Sequence, residues 1–533
     1  MFVLSLALVV TNLYLAHRTQ SYVSDDVSWQ TILMTWTPFN HHTAYMGIKD
    51  NFVTNAPLIW LMGRFFSPSR TLIFAEATIL ATINFTLFYI AGLYFLKKCN
   101  IVINYLSLLP FLWLASFSRS FAALFLNTAW RDFEPGVIFI LFVLVAKYYF
   151  DEINPLHSRL SMVIAALVSL VTGVFIFSDP YFLYFGVVPT VGLFIVLAAC
   201  RKLPRKKLWV VLAMTVMSLV FAEATRVALA RIGLLVPAKI ILLLPAKSLK
   251  ALVTNLSVTY KGLLSIFGAN LLHKHMLALA LVTAFVNLVI LALIVYRFGG
   301  LLVRRGNSGQ SAASEKARFS PKQRKSLNPI FLWGVFFGVV GLLVFVGNVL
   351  SSVATNGVYR YLILAVYALV MLLALAVGAL DKKFHLLVAA ALVLAVVLNT
   401  SSFYRNITVK AAPNVSNREL ISRVEKLGLT KGYVNYWDGN INTFLSKDAV
   451  DFLPVTCGKG QTIPYYTLVD GSQFTKLASR TFYLIDPKYK SPAMCTGKQL
   501  IAQFGQPSQI VHLSGKKTLL IYNHDLITDM QHS

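Results

Sequence analysis

Residues 71–98 read TLIFAEATILATINFTLFYIAGLYFLKK, a mostly apolar run that stops at Lys97-Lys98. A helix crossing the ~30 Å hydrocarbon core of a bilayer needs about 20 such residues, and this run supplies them. The pattern recurs, and eleven spans are expected, at 1–17, 71–96, 102–122, 136–150, 160–177, 181–200, 208–230, 276–296, 327–350, 358–380 and 384–402. The first begins at Met1 with neither a basic n-region nor a small-residue cleavage site. It therefore reads as a retained helix, or as the remnant of one that starts upstream, rather than as a signal peptide. The expected fold is a polytopic α-helical membrane protein with about 11 transmembrane helices over residues 1–402, followed by a small soluble domain over 403–533.

Composition agrees. The 533 residues are 57% hydrophobic and 13% charged, with a mean hydropathy of +0.67, whereas soluble domains average roughly 45–50% apolar and about 25% charged. That excludes a cytosolic enzyme, a disordered chain and a secreted disulfide scaffold. The net charge of +27 would point to nucleic acid only if it were clustered on one folded surface. Here much of it lies in short loops, and no nucleic-acid partner is expected. Lys97-Lys98, the group Arg201, Lys202, Arg205, Lys206 and Lys207, the basic run 297–326 and Lys382-Lys383 fall on alternate loops. Positive charge marks the cytoplasmic side, so the N-terminus is expected inside and the C-terminus outside. An error of one span would flip half of these groups. Gly306–Ser326 is expected to be a flexible cytoplasmic loop, a topology determinant or a segment attracted to anionic lipid.

After residue 402 the apolar runs stop. Ser416-x-x-Glu419 has the form of a capping box ahead of Leu420, Ile421, Val424 and Leu427, with Gly428 as the stop. Strands are expected at Gly432–Trp437, Thr481–Ile485, Gln509–Leu513 and Thr518–Tyr522, the last two joined by the turn 514–517. The tail reads as a small α/β or α+β extracytoplasmic domain. Cys457 and Cys495 both lie in it, on the side where disulfides persist, and are candidates for a bridge; Cys99 and Cys200 sit at cytoplasmic helix ends.

Charged residues at the outer face are the candidates for chemistry, because burying them at membrane depth is costly. The long first outer loop, 18–70, carries Asp25-Asp26 and several aromatics. Adjacent carboxylates repel, so one of them has a raised pKa unless a cation compensates. The pair is either a solvated acidic turn or a base that could help hold a divalent cation. Arg131, Asp132 and Glu134 directly precede the fourth span, and Asp179 lies in the third outer turn, Ser178-Asp179-Pro180-Tyr181. Three acidic outer loops at one level imply a shared cavity. Opposing cations are Arg226, three residues after Glu223, and Arg360, which enters the tenth span from outside and suits bidentate phosphate binding. Stretch 231–275 is apolar, is broken by Pro245, Gly262 and Gly268, and reads as interfacial helices.

The order of these features resembles the GT-C superfamily of membrane glycosyltransferases, which use polyprenyl-phosphate sugar donors at the outer membrane face. The likeness is carried by the Asp25-Asp26 dyad after the first helix, by Asp132 and Glu134, by Ser178-Asp179-Pro180, by Arg360-Tyr361 and by an outer tail. Tyr45-Met46-Gly47-Ile48-Lys49-Asp50 and Gly432–Asp438 are similar to uncharacterised bacterial members. The resemblance implies Asp25 or Asp26 as acceptor base or orienting group. It implies Asp132 and Glu134 as shaping the site, Asp179 and Arg131 as accessory, and Arg360, with Arg226, as holding the donor phosphate. A divalent cation, Mg or Mn, is optional and would draw on Asp26 and Asp132. The implied partners are a polyprenyl-phosphate-linked sugar, an acceptor protein, lipid or wall polymer, and membrane lipid. Two rivals stand beside it. A transporter or flippase would use Glu223 and Arg226 and show repeat symmetry, which the sequence lacks; a non-catalytic envelope scaffold would keep the fold alone.

Overall fold

A computed structural model of the chain describes residues 1–19, 21–22, 27, 31, 44–45, 52–116, 119–126, 134–153, 158–231, 234–235, 246, 248–269, 278–311, 328–351, 359–405, 413–465, 469, 471–488 and 494–531. The first helices are α1 (Phe2–Thr19), α2 (Phe52–Phe65), α3 (Arg70–Lys98), α4 (Tyr105–Ala115), α5 (Arg119–Leu124), α6 (Glu134–Tyr149) and α7 (Arg159–Ser178). There follow α8 (Pro180–Ala199, with a π turn over Leu183–Val187), α9 (Arg205–Arg231) and α10 (Leu249–Ile266). The last of this part are α11 (Ala278–Ser311), α12 (Pro329–Leu350), α13 (Ile363–Gly378) and α14 (His385–Arg405).

Every expected span overlaps a helix, but among the described residues seven helices are long and apolar enough to cross a membrane: α1, α3, α7, α8, α9, α12 and the stretch Lys382–Ser402. Of the helices at the four remaining expected spans, α11 is long but its apolar part runs only over Leu279–Ile294, and the others are short. At ~1.5 Å per residue, α4 is only ~16 Å long, and α6 and α13 are ~24 Å each, less than the hydrocarbon core. The expected span 102–122 is two helices, since α4 closes at its C-cap Ser116 and α5 begins at Arg119.

Other expectations change too. The first outer loop contains α2, a helix of 14 residues. Helix α10 runs through Gly262 without a break, because a lone glycine costs only ~1 kcal/mol in a helix, and ends where Gly268 takes φ +64°. The basic stretch that reads as a loop from 297 is helical as far as Ser311.

Side chains begin these helices as their types predict. Ser69 accepts from the Leu72 N–H at 3.1 Å, Ser158 from the Ser161 N–H at 3.1 Å, and Asp179 from the Tyr181 N–H at 2.8 Å. Each satisfies a donor that a helix start leaves open. The helices share one core, with Trp113, Trp333, Phe88, Phe95 and Phe111 fully buried. Helices α7 and α9 cross at Gly173, where a Cβ would stand 2.5 Å from the Ser218 carbonyl oxygen. Only glycine fits there.

The tail is a six-stranded sheet with helices on both sides. Its strands are β1 (Lys431–Val434), β2 (Asp451–Gly458), β3 (Gln461–Pro464), β4 (Thr481–Ile485), β5 (Gln509–His512) and β6 (Thr518–Tyr522), in the order β3-β2-β1-β4-β6-β5. Strand β1 runs parallel to both β2 and β4, and the outer pairs are antiparallel. Alternation divides the two faces: Tyr433, Tyr483, Leu520 and Tyr522 on one side, Val434, Phe482, Leu484, Leu519 and Ile521 on the other. Four further helices complete it: α15 (Val415–Lys426), α16 (Gly439–Leu445), α17 (Gly497–Phe504) and α18 (Ile527–Gln531). The N-cap of α15 is Asn414 in the left-handed region rather than Ser416, and Glu419 instead accepts from Ser514 Oγ at 2.7 Å. Cys457 and Cys495 are joined by a disulfide.

Candidate functional site

Helices α3 and α6 fix the depth of the acidic residues. Lys98, at the end of α3, is ion-paired with Glu152, just beyond α6, so the two helices share that end. Gly378, closing α13, adjoins Ile101 at the same end, and Asp151 pairs with Lys207 near the start of α9. Counting from this end at ~1.5 Å per helical residue and ~2.0 Å in a 3₁₀ turn, Glu134 lies ~22 Å along α6 and Asp179 ~30 Å along α7. Arg360, in the 3₁₀ turn Tyr359–Leu362 ahead of α13, lies ~29 Å along. The three share one level to within ~8 Å, whereas Arg70, starting α3, stands ~42 Å away.

Hydrogen bonds join the helices at and below that level. The Gly136 N–H donates to Asn84 Oδ1 at 2.6 Å, and Asn84 Nδ2 donates to Tyr367 Oη at 2.7 Å. Tyr367 is on α13, two turns from Arg360. On the other side Tyr181 Oη donates to the Tyr361 carbonyl at 2.9 Å, joining the Asp179 turn to the turn that holds Arg360. Glu134 and Asp179 are fully buried. Because α6 starts opposite the midpoint of α3, Glu134 is at mid-depth, where an acid persists only with interactions that hold it.

Above this level, four segments converge in a clasp that sequence patterns do not reveal. Arg70 Nη2 donates to the His17 carbonyl at 2.6 Å and Nη1 to Asn414 Oδ1 at 2.8 Å, with its guanidinium 4.6 Å over the Tyr22 ring. Asn414, the first residue of the tail's leading helix cap, pairs with the Tyr22 backbone, accepting from its N–H at 3.1 Å and donating to its carbonyl at 2.9 Å. Farther along, Thr31 Oγ1 reaches the Asn440 carbonyl at 3.3 Å, and Ile441 and Phe444 join the helical core. The tail is thus seated on the described flanks of the first loop.

Asp25, Asp26, Arg131 and Asp132 lie outside the described residues, as does the side chain of Arg360. Of the other expected site residues, Asp179 lies in a turn that Tyr181 bonds to the Arg360 turn, and Glu134 is buried on α6 at a height within ~8 Å of theirs. Arg226 is not: it is held by Glu223, its neighbour on α9, through paired hydrogen bonds at 3.0 and 2.9 Å from Nε. Sequence reading passed over Glu76, a fully buried carboxylate inside α3, because one acid in a 29-residue apolar helix breaks no pattern. Among the described residues no group of three or more His, Cys, Asp and Glu could hold a metal ion.

The tail has its own buried charges at the carboxyl ends of β1 and β4. Lys517 Nζ lies 2.9 Å from Asp486 and 3.3 Å from Asp438, and Asn435 Nδ2 donates to Asp438. Burial raises the Asp438 carboxyl above its usual range against the pull of Lys517. In Lys517, burial pushes downward but Asp438 and Asp486 outweigh it, so the ammonium stands above its ordinary value. Burial also raises Tyr433, Tyr483 and Tyr522. Lys517 and the three tyrosines hold protons more tightly folded than unfolded, so their contribution is complete below the unfolded values and is lost as pH rises past them. The tail is therefore expected to lose stability above pH ~10. Following tyrosinate absorbance of the full chain checks this: ionisation should coincide with tail unfolding, and free titration of a folded tail would contradict it.

No protein-family model matches the chain, and no curated protein gives a significant match.

Proposed function

We propose that the chain is an integral-membrane glycosyltransferase that moves a sugar from a polyprenyl-phosphate donor to an envelope acceptor at the outer face. The observation that supports this reading is the similar height of two buried acids, Glu134 and Asp179, and of the Arg360 turn, below a clasp that ties the tail to Tyr22 of the first loop. Described loop contacts also favour the orientation. Lys98 pairs with Glu152 and Lys207 with Asp151 on the side expected inside, while Tyr181–Tyr361, Arg70–Asn414 and Asn255–Ser351 join loops expected outside.

In the proposed reaction the acceptor hydroxyl gives its proton to Asp25 or Asp26. Its oxygen then bonds to the anomeric carbon, with inversion, as the bond from that carbon to the phosphate oxygen breaks. Polyprenyl phosphate leaves with the electron pair, and the Arg360 guanidinium offsets the charge that develops on it. Glu134 and Asp179 shape the wall opposite. The divalent cation remains optional.

Full-length protein purified in detergent, given radiolabelled polyprenyl-phosphate sugars and envelope acceptors, is expected to consume donor and release polyprenyl phosphate. Intact donor with every sugar tried removes the enzyme reading. Donor that instead crosses a proteoliposome bilayer unchanged establishes the flippase.

A further inference from the structure

A cavity of about 470 Å³ lies between α6, α7, α8 and α9, away from the acidic level. Its walls are apolar, with Leu141, Val145, Ile164 and Val168 along them. Three of the hydroxyls on the wall are spent within their own helices: Thr190 donates to the Gly186 carbonyl at 2.8 Å, Thr215 to Val211 at 2.9 Å and Ser218 to Met214 at 2.9 Å. A wall so largely apolar suits an alkyl chain. The π turn of α8 ends at Val187 on the cavity's far wall, a helix irregularity of the kind often found at functional sites.

Length and charge select the occupant. From Ser161 to Thr172 the cavity follows α7 for ~16 Å, about half of the ~30 Å hydrocarbon core and so one leaflet. Asp151, Glu152 and Tyr148 form its mouth. Gly173 and Ser218 mark where α7 and α9 cross, and they lie ~21 and ~20 Å from Arg159 and Arg205 respectively. Both arginines therefore stand level with the mouth. Its two acids are each held by a lysine, Lys207 and Lys98, which leaves the exposed Arg159, Arg205 and Lys206 as surplus positive charge among the described residues.

We infer that this cavity is a binding site for one anionic phospholipid of the cytoplasmic leaflet, with an acyl chain between α7 and α9 and its phosphate at Arg159 and Arg205. The inference rests on the membrane-spanning part of the proposed function and not on sugar transfer. The test is native mass spectrometry of the full chain released from nanodiscs of phosphatidylglycerol or of phosphatidylcholine. The wild type should retain one phosphatidylglycerol and release phosphatidylcholine. Ala165→Trp, which fills the cavity, should abolish retention. Arg159→Gln and Arg205→Gln, which leave the cavity open, should each lower retention of the anionic lipid by about fivefold. Equal retention of both lipids, or undiminished retention by Ala165→Trp, overturns the site. A misfolded Ala165→Trp is recognised by its elution profile, and the two arginine variants then decide: unchanged retention in both also overturns it. Donor turnover is not read at any point, so failure here and failure of the transferase are separable.

Discussion

Replacing Asp25 or Asp26 by Asn is expected to slow sugar transfer by about 10²–10⁴-fold at one of the two positions, the range by which a positioned general base contributes. A weak hydroxyl nucleophile needs a proton acceptor, and Asn keeps the shape of Asp while removing the basic oxygen. The loss should appear in kcat, with donor KM little changed, because in the proposed reaction the base acts on the acceptor. Arg360→Ala should cost about 10²–10³-fold, by analogy with loss of a charge-stabilising donor. Its signature differs, since the ground-state phosphate is also held and donor KM should rise. Initial rates over a range of donor concentrations separate the two. Three variants with wild-type rates would leave the chemistry without residues to perform it.

Asp525→Ala is expected to destabilise the tail by about 3–5 kcal/mol, the cost of removing one partner of a buried ion pair. Lys431 Nζ lies 2.9 Å from Asp525, and both side chains are 3% exposed. The same carboxylate accepts from Tyr433 Oη, from the Ala478 N–H at 2.8 Å and from the Ile527 N–H at 3.1 Å. Removing it strands one buried ammonium and three donors. Asp525→Asn keeps the size and one acceptor oxygen, so it should cost less. Hydrogen exchange of peptides covering β1 and β6 in the full chain measures both. Protection equal to wild type in Asp525→Ala would show that the pair is not buried in solution.

Much of the fold is legible because apolar runs and basic stops are local signals. The runs at 71–96, 160–177, 181–200 and 208–230 became helices within a few residues of their expected ends. Helices α4, α6 and α13 are shorter than the expected spans because apolarity around Trp113 or Phe139 also reflects burial among neighbours, and apolarity alone does not set where a helix ends. In the tail, β4 and β6 match the expected strands to the residue, since TFYLI and TLLIY are runs of residues that favour strands. Strand β2 escaped because Pro454 interrupts its run, and an internal proline argues against a strand; here the Pro454 carbonyl accepts from the Tyr465 N–H at 3.0 Å. The acids expected near the outer face were visible as residues, and of them Glu134 and Asp179 are described, both fully buried. The clasp was not. Arg70 and Asn414 lie 344 positions apart, and neither stands out in its own neighbourhood: Arg70 looks like any basic residue at a helix start.

The hydrogen bonds between Tyr22 and Asn414 bridge 392 positions, and this sets an order on biogenesis. At about 5–20 residues per second of synthesis, the ribosome needs roughly 20–80 s to make Asn414 after Tyr22 has emerged. Through that interval the helices insert one after another while the mouth of the first loop waits for its partner. A nascent chain halted before the tail would carry a complete bundle with that mouth unlatched, a state that quality-control proteases could recognise and that a finished molecule never shows.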